Sequence, residues 1–137
     1  MPSIILDCSV TISWFMSDEQ PLPFDNILDK IGEIGAVVPT IWQLEVANVL
    51  LVSERRKRIT REQRHSALYT LNELPINIDQ FTSKHAWNEI TELAERYNLT
   101  TYDACYLELS LRLNLPLATL DNQLKSAAKL AAVSLVI

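Results

Sequence analysis

Short apolar runs alternate along this chain with longer segments of helical periodicity, and this alternation limits the possible folds more than any other feature. The runs that predict strands lie at residues 4–6, 37–38, 76–78, 115–120 and 133–137. Strands that alternate with helices typically form a parallel sheet that is covered by helices. The pattern therefore predicts one α/β domain over residues 1–137, with three α/β/α layers around a mostly parallel sheet of about five short strands.

Between these runs, apolar residues recur at the spacing of helical faces, and several residues are typical of helix ends. Ser9 can cap a first helix, and Gly35 fits a helix stop. The segment that starts at Thr60 is typical of a capping box. Residues 18–24 contain two prolines and are predicted to form a loop. Further helices are predicted over residues 25–34, 40–58, 61–74, 83–97, 102–113 and 122–130. The cap of the helix 102–113 is predicted to be Thr100 or Thr101.

Composition excludes several classes of protein. The chain contains only two glycines, Gly32 and Gly35. Walker loops and dinucleotide fingerprints need several glycines in one short loop, so ATP-driven and NAD-dependent chemistry on those scaffolds is excluded. Cys8 and Cys105 fit neither a disulfide framework nor a zinc-ligand spacing. No apolar run reaches the roughly 20 residues that span a bilayer, and Asp7 interrupts the N-terminal run before it could form a signal peptide. We expect a soluble, cytoplasmic protein that does not bind membranes.

Four carboxylates fall where parallel α/β sheets bind ligands, near the C-terminal ends of strands. Asp7 ends the first predicted strand and Asp121 follows the run 115–120. Asp103 lies in the first turn of its helix, and Glu45 lies one turn into the helix that follows the second strand. Such carboxylates repel one another at neutral pH unless cations or protons offset their charge. Oxygen ligands suit Mg²⁺ or Mn²⁺, which promote displacement at phosphorus, so the pattern predicts a metal-dependent phosphodiesterase.

Each of these carboxylates also has a purely structural interpretation. Asp121 matches an ordinary helix N-cap, and Asp103 in a first turn favours the helix dipole. Glu45 could belong to a buried ion pair. Asp7 ends a wholly apolar strand and needs a partner under either interpretation. The occurrence of all four together favours a function.

Four short motifs, in order along the chain, carry a resemblance to a known family. They are Ile5-Leu6-Asp7-Cys8-Ser9 with Trp14 following, Leu44-Glu45-Val46-Ala47-Asn48, Thr101-Tyr102-Asp103-Ala104-Cys105-Tyr106-Leu107 and Leu117-Ala118-Thr119-Leu120-Asp121. With these motifs the chain resembles the PIN-domain ribonucleases, and among them the VapC-type toxins of bacterial and archaeal toxin–antitoxin pairs.

The resemblance implies a PIN fold and an endoribonuclease that depends on Mg²⁺ or Mn²⁺ and hydrolyses RNA phosphodiester bonds. It also implies inhibition by a cognate VapB-like antitoxin and assembly as a homodimer. Carried over by motif, the site residues are Asp7 and Asp103 as principal metal ligands, Glu45 and Asp121 as further acidic ligands, Thr119 as the residue that orients a ligand or water, and Ser9 and Asn48 as nearby polar residues.

Two other functional classes were weighed against this interpretation. A receiver-type signalling domain needs an adjacent acidic pair after its first strand, whereas Asp7 is followed by Cys8 and Ser9. A catalytically silent PIN domain that serves as an RNA- or protein-binding module stays open as the alternative, although all four acidic positions are intact. The two histidines, His65 and His85, form no evident pair, so a metal-free mechanism with imidazoles as acid and base is not expected.

Basic and aromatic residues give weaker signals. Although the net charge is −5, half of the twelve basic residues lie in one segment that could contact RNA phosphates or form a solvated corner between helices. Trp14, Trp42 and Trp87 are expected in the core or in a dimer interface rather than as base-stacking platforms. The basic segment comprises Arg55, Arg56, Lys57, Arg58, Arg61 and Arg64.

Overall fold

The computed structural model describes residues 3–16 and 22–136, and these residues form a four-stranded parallel sheet in the order β3-β2-β1-β4. Strand β1 pairs with β2 and with β4, and β2 pairs with β3, always in parallel. The predicted α/β class and parallel sheet are confirmed. The strands are β1 Ile4–Leu6, β2 Ala36–Val38, β3 Ile76–Ile78 and β4 Leu117–Ala118.

The sheet has slightly fewer strands than the five expected from the sequence. The predicted strand 133–137 is reduced, within the described residues, to a parallel bridge between Leu135 and Leu117. The predicted strand 115–120 is reduced to two residues. Its early end has a local cause, because the backbone N–H of Leu120 bonds to the Ser9 hydroxyl and that of Asp121 bonds to the Thr119 hydroxyl. These two N–H groups therefore bond to side-chain hydroxyls instead of to a neighbouring strand.

Helices fill the connections between the strands. Ser9 lies inside the first helix rather than at its cap, which is the preceding Asp7. The predicted loop 18–24 is wrong at its end, since Leu22 already starts a helix and Pro23 is tolerated in a first turn; residues 18–21 lie outside the described residues. The helices are α1 Cys8–Ser13, α2 Leu22–Ile34, α3 Trp42–Arg55, α4 Arg61–Glu73, α5 Thr82–His85, a π-helical turn Ala86–Ile90, α6 Thr91–Tyr97, α7 Thr101–Leu113 and α8 Asn122–Leu130.

Three other predicted start and stop signals, at Thr60, Thr100 and Gly35, are confirmed. Thr60 and Gln63 form both bonds of a capping box at the start of α4. The Thr100 hydroxyl accepts the backbone N–H of Asp103 and so caps α7. Gly35 ends α2 with a φ of +81°, a conformation that side chains rarely adopt. The Thr100 cap places Asp103 in the first turn of α7.

The core combines the strands with buried residues of the helices packed on them, and helix α7 contributes seven consecutive buried residues from Ala104 to Ser110. Trp42 is buried there as expected, and its indole N–H donates to the Thr11 hydroxyl. Trp14 packs against the core. Trp87 is 93% exposed, so it is not a core residue. In the described part of the chain, no helix is long and apolar enough to cross a membrane.

Candidate active site

The carboxylate of Asp7 is held by two hydroxyls at the C-terminal end of β1. Thr119 Oγ1 donates to Asp7 Oδ2 over 2.6 Å, and Ser9 Oγ donates to the same oxygen over 2.8 Å. Each hydroxyl in turn accepts a backbone N–H from the turn after β4, Ser9 from Leu120 and Thr119 from Asp121. Because the N–H groups occupy the acceptor sides of both hydroxyls, the hydroxyl protons point to Asp7.

This network joins two distant parts of the chain at one sheet edge. Asp7 follows β1 and Thr119 follows β4, and the two strands are paired neighbours in the sheet. Thr119 has no solvent exposure, and Asp7 is only 5% exposed. The sequence analysis expected Thr119 to orient a ligand or water; in the structure its hydroxyl donates to the Asp7 carboxylate.

Burial makes the ionised form of Asp7 unfavourable. It raises the pKa of this carboxyl above its ordinary value, although the hydrogen bonds from Thr119 and Ser9 lower it, and the nearby charge of Asp121 raises the pKa further. Most carboxyls in proteins avoid such a position unless they are paired.

Glu45 lies in the first turn of α3 and accepts a hydrogen bond from the hydroxyl of Tyr106 on α7. Burial raises the pKa of Glu45, the bond from Tyr106 lowers it, and the charges of Asp7 and Asp103 raise it. Burial also raises the pKa of Tyr106, so the phenol keeps its proton and acts as a donor. In place of a buried ion pair, the structure gives Glu45 a neutral partner among acidic neighbours.

Tyr106 is the site residue that sequence reasoning missed. Its signal is the spacing of three residues from Asp103, which places both side chains on one face of α7. The residue is fully buried, yet its hydroxyl is committed to Glu45 on another helix.

Asp103 is half-buried at the start of α7. Burial raises its pKa, the charges of Asp121 and Asp7 raise it further, and a hydrogen bond with Thr100 lowers it. The helix N-terminus favours a negative charge at this position, but three unfavourable influences outweigh it. The ionised form of Asp103 is therefore unfavourable unless a positive charge offsets the negative charges of Asp121 and Asp7.

Asp121 has the structural role considered from the sequence, that of a helix N-cap. Its Oδ1 accepts the backbone N–H of Leu124 over 2.9 Å, so it is the N-cap of α8. Its charge also contributes to the raised pKa values of Asp7 and Asp103. The cap fixes the carboxylate at the sheet edge, near the other acidic groups.

The four carboxylates thus influence one another electrostatically, and all four would offer oxygen ligands to a metal ion. This set fits a hard divalent cation such as Mg²⁺ in its chemistry. Among residues 3–16 and 22–136, however, no three His, Cys, Asp or Glu side chains lie close enough together to hold one ion. Holding a cation here requires the carboxylates to rotate towards one another, which their mutual repulsion opposes while no positive charge is present.

The other predicted polar residues are distributed unevenly. Ser9 belongs to the Asp7 network, whereas Asn48 is exposed on α3. The basic segment lies at the end of α3 and the start of α4, and Arg55 is about 15 Å along the helix axis from Glu45 at 1.5 Å per residue. Arg64 forms an ion pair with Glu54. The structure does not bring this segment together with the carboxylates.

Comparison with known proteins identifies the family of this chain. The sequence matches the model of the PIN domain over residues 4–130. The chain belongs to the PIN domain family. No curated protein matches the sequence significantly.

Solved structures share this PIN fold at low sequence identity. PAE2754 from Pyrobaculum aerophilum superposes with a TM-score of 0.68 at 20% identity, over 92% of this chain and 86% of that one. VapBC2 from Rickettsia felis, bound to a DNA fragment from their promoter, gives 0.65 at 16% identity over 96% of each chain. VapC20 from Mycobacterium tuberculosis, a sarcin–ricin loop cleaving toxin, gives 0.66 at 12% identity, over 91% and 95%. The likeness extends over nearly the whole domain.

Proposed function

We propose that this PIN domain is a divalent-metal-dependent endoribonuclease and acts as the toxin of a toxin–antitoxin pair. The observation that carries the proposal is the buried Asp7 carboxylate, which two hydroxyls hold among three further acidic groups at the C-terminal edge of the sheet. Burying negative charge beside negative charge costs stability. A site of this kind is typical of function rather than of structure alone.

The likeness to other PIN structures supports the substrate and the partner. VapC20 is named as a toxin that cleaves the sarcin–ricin loop, an RNA, and VapBC2 is named as a two-protein complex. By analogy, RNA is the substrate here and a VapB-like antitoxin is the partner. We also carry over the homodimer that the family resemblance implies.

Within the proposed site, Asp7, Glu45, Asp103 and Asp121 would hold Mg²⁺ or Mn²⁺. When bound, the ion supplies positive charge that offsets the carboxylates and the phosphodiester. Ser9 and Thr119 keep the Asp7 oxygen oriented, and Tyr106 does the same for Glu45.

Proton transfer can use the same carboxyls. A carboxylate of Glu45 or Asp103 would accept the proton that an attacking water releases. Both are less buried than Asp7, so water and RNA can reach them.

The first experiment removes single negative oxygens while keeping side-chain volume. Asp7→Asn and Asp103→Asn should reduce cleavage of a defined RNA by more than about tenfold, the lower end expected even for groups that merely orient a ligand. Asp29→Asn, at an exposed position on α2, is the matched control and should cleave as the wild type does. EDTA should stop cleavage and added Mn²⁺ should restore it. Full activity in excess EDTA, or in both site variants, would contradict the proposal.

The chemistry of the product ends separates two mechanisms. If water attacks phosphorus, the RNA 2′-hydroxyl takes no part, and the products carry a 5′-phosphate and a 3′-hydroxyl. If a side chain activates the 2′-hydroxyl instead, the products are a 2′,3′-cyclic phosphate and a 5′-hydroxyl. We expect the downstream fragment to be degraded by a 5′-phosphate-dependent exonuclease. If that fragment resists, hydrolysis at an acidic metal site is the wrong mechanism.

A further inference from the structure

An apolar cavity of about 330 Å³ opens beside the carboxylates. It lies between the start of α3, the π-helical turn and the start of α7, and its volume is at the lower end of the range for small-molecule sites. None of its lining residues is charged. We call it the aromatic pocket; its principal lining residues are Ile41, Ala86, Trp87, Ile90, Tyr102 and Cys105.

The aromatic pocket and the acidic site share the N-terminal ends of α3 and α7. The carbonyl of Ile41 accepts the backbone N–H of Glu45, so the two residues are one helical turn apart. Tyr102 directly precedes Asp103 on α7. Cys105 follows Asp103 by two residues on α7, and its thiol donates to the Tyr102 carbonyl over 2.9 Å.

Two aromatic side chains at this pocket are exposed to an unusual degree. Trp87 is 93% exposed and Tyr102 is 60% exposed. Neither contributes to the core, and exposed rings of this size typically mark a binding site when they lie together.

The backbone around Trp87 is also unusual. Trp87 belongs to the π-helical turn Ala86–Ile90, after which the Thr91 hydroxyl donates to the Ala86 carbonyl over 2.7 Å. Single π-helical turns are rare and occur frequently at functional sites. The turn interrupts an otherwise regular helix at the residue that lines the pocket.

We propose that the aromatic pocket binds one unpaired nucleobase of a single-stranded RNA, next to the phosphodiester that the carboxylates act on. The proposal rests on the proposed function and names its substrate more closely. An uncharged pocket does not suit a phosphate, whereas every base offers a flat face that can stack on tryptophan or tyrosine. Bases in a duplex are already stacked and paired, so the site selects single strands, loops or bulges.

The test measures binding separately from cleavage. In the cleavage-impaired Asp7→Asn background with Mg²⁺, we measure the Kd for a short fluorescein-labelled single-stranded RNA by anisotropy. Adding Trp87→Ala should raise this Kd by roughly 5- to 150-fold, the effect of losing one stacked base. Tyr69→Ala removes a ring that is 70% exposed on α4, away from the pocket, and should leave the Kd unchanged.

The RNA supplies the second half of the test. We place a single abasic nucleotide at each position of the oligonucleotide in turn. At one position, the abasic nucleotide should raise the Kd of the protein that retains Trp87 by the same factor as Trp87→Ala does. The same abasic RNA should not raise the Kd of the Trp87→Ala variant any further. A duplex of the same sequence should bind more weakly than the single strand.

Other outcomes overturn the proposal. An unchanged Kd in Trp87→Ala, no sensitivity to abasic positions, or no binding of single strands would each do so. If Trp87→Ala instead converts a dimer to a monomer in sedimentation while abasic sensitivity is absent, Trp87 is a protein–protein contact. If the wild-type protein binds single-stranded RNA through Trp87 but does not cleave it, the proposed nuclease function is overturned while the proposed role of the pocket is supported.

Discussion

Thr119→Val tests whether the hydroxyl network is what holds Asp7 in place. Valine has nearly the same shape as threonine but can neither donate to Asp7 nor accept the N–H of Asp121. A hydrogen bond to a charged group contributes about 1.5–3 kcal/mol, and a neutral one about 0.5–1.5 kcal/mol. Because Thr119 is fully buried, water cannot replace these bonds. We expect the free energy of unfolding to fall by about 2–4 kcal/mol.

Thr119→Ser is the matched control, because it keeps the hydroxyl and loses one methyl group. That loss costs about 0.8 kcal/mol for the buried carbon. Urea unfolding of both variants, with RNA cleavage measured in parallel, compares the two effects. We expect the valine variant to lose cleavage and the serine variant to retain most of it. Equal losses of stability in both, or a loss below about 1 kcal/mol in the valine variant, would refute the hydrogen-bond argument.

The pH dependence gives an independent check on the same variant. The bond from Thr119 lowers the pKa of Asp7, so its removal raises that pKa further above the ordinary value. A carboxyl with a raised pKa in the folded state contributes stability that is present at acid pH and lost as the pH rises through that pKa. The deficit of Thr119→Val should therefore grow from mildly acidic to neutral buffer. A deficit that shrinks with rising pH would contradict the direction of the shift.

Two further predictions follow from the buried charges. Arg112→Met should lower the free energy of unfolding by about 3 kcal/mol in urea, because it leaves Asp79 and Glu108 buried without their cation. Burial raises the pKa of Asp79, but the bonds from Arg112 outweigh burial and lower that pKa below its ordinary value. The stability that depends on the charge of Asp79 therefore disappears as the pH falls. The loss caused by Arg112→Met should accordingly be smallest at acid pH. Asp7→Asn should raise the free energy of unfolding at neutral pH by on the order of 1 kcal/mol, because it removes a charge that burial disfavours. The gain should be measurable as a higher melting temperature. This gain should vanish in acid, where Asp7 is protonated, and a variant less stable than the wild type at neutral pH would contradict it.

The sequence by itself determined the features that depend on nearby residues. Helix caps such as Thr60 and Asp121 are local, because a side chain bonds to a backbone N–H three residues ahead. The short apolar runs predicted parallel strands, since a buried strand needs apolar side chains on both faces. Parallel strands direct their C-terminal ends to one edge, so the carboxylates that follow them could be expected to meet there.

The tertiary structure alone decided which groups contact one another at that edge. The bond from Thr119 to Asp7 spans 112 positions and the bond from Tyr106 to Glu45 spans 61, and neither distance along the chain has a local signal. Trp87 has the same apolar side chain as Trp42, yet one is exposed and the other buried. Side-chain burial depends on which elements pack together and on a single π-helical turn. These are properties of the assembled fold, because the packing free energy is shared among residues far apart in sequence.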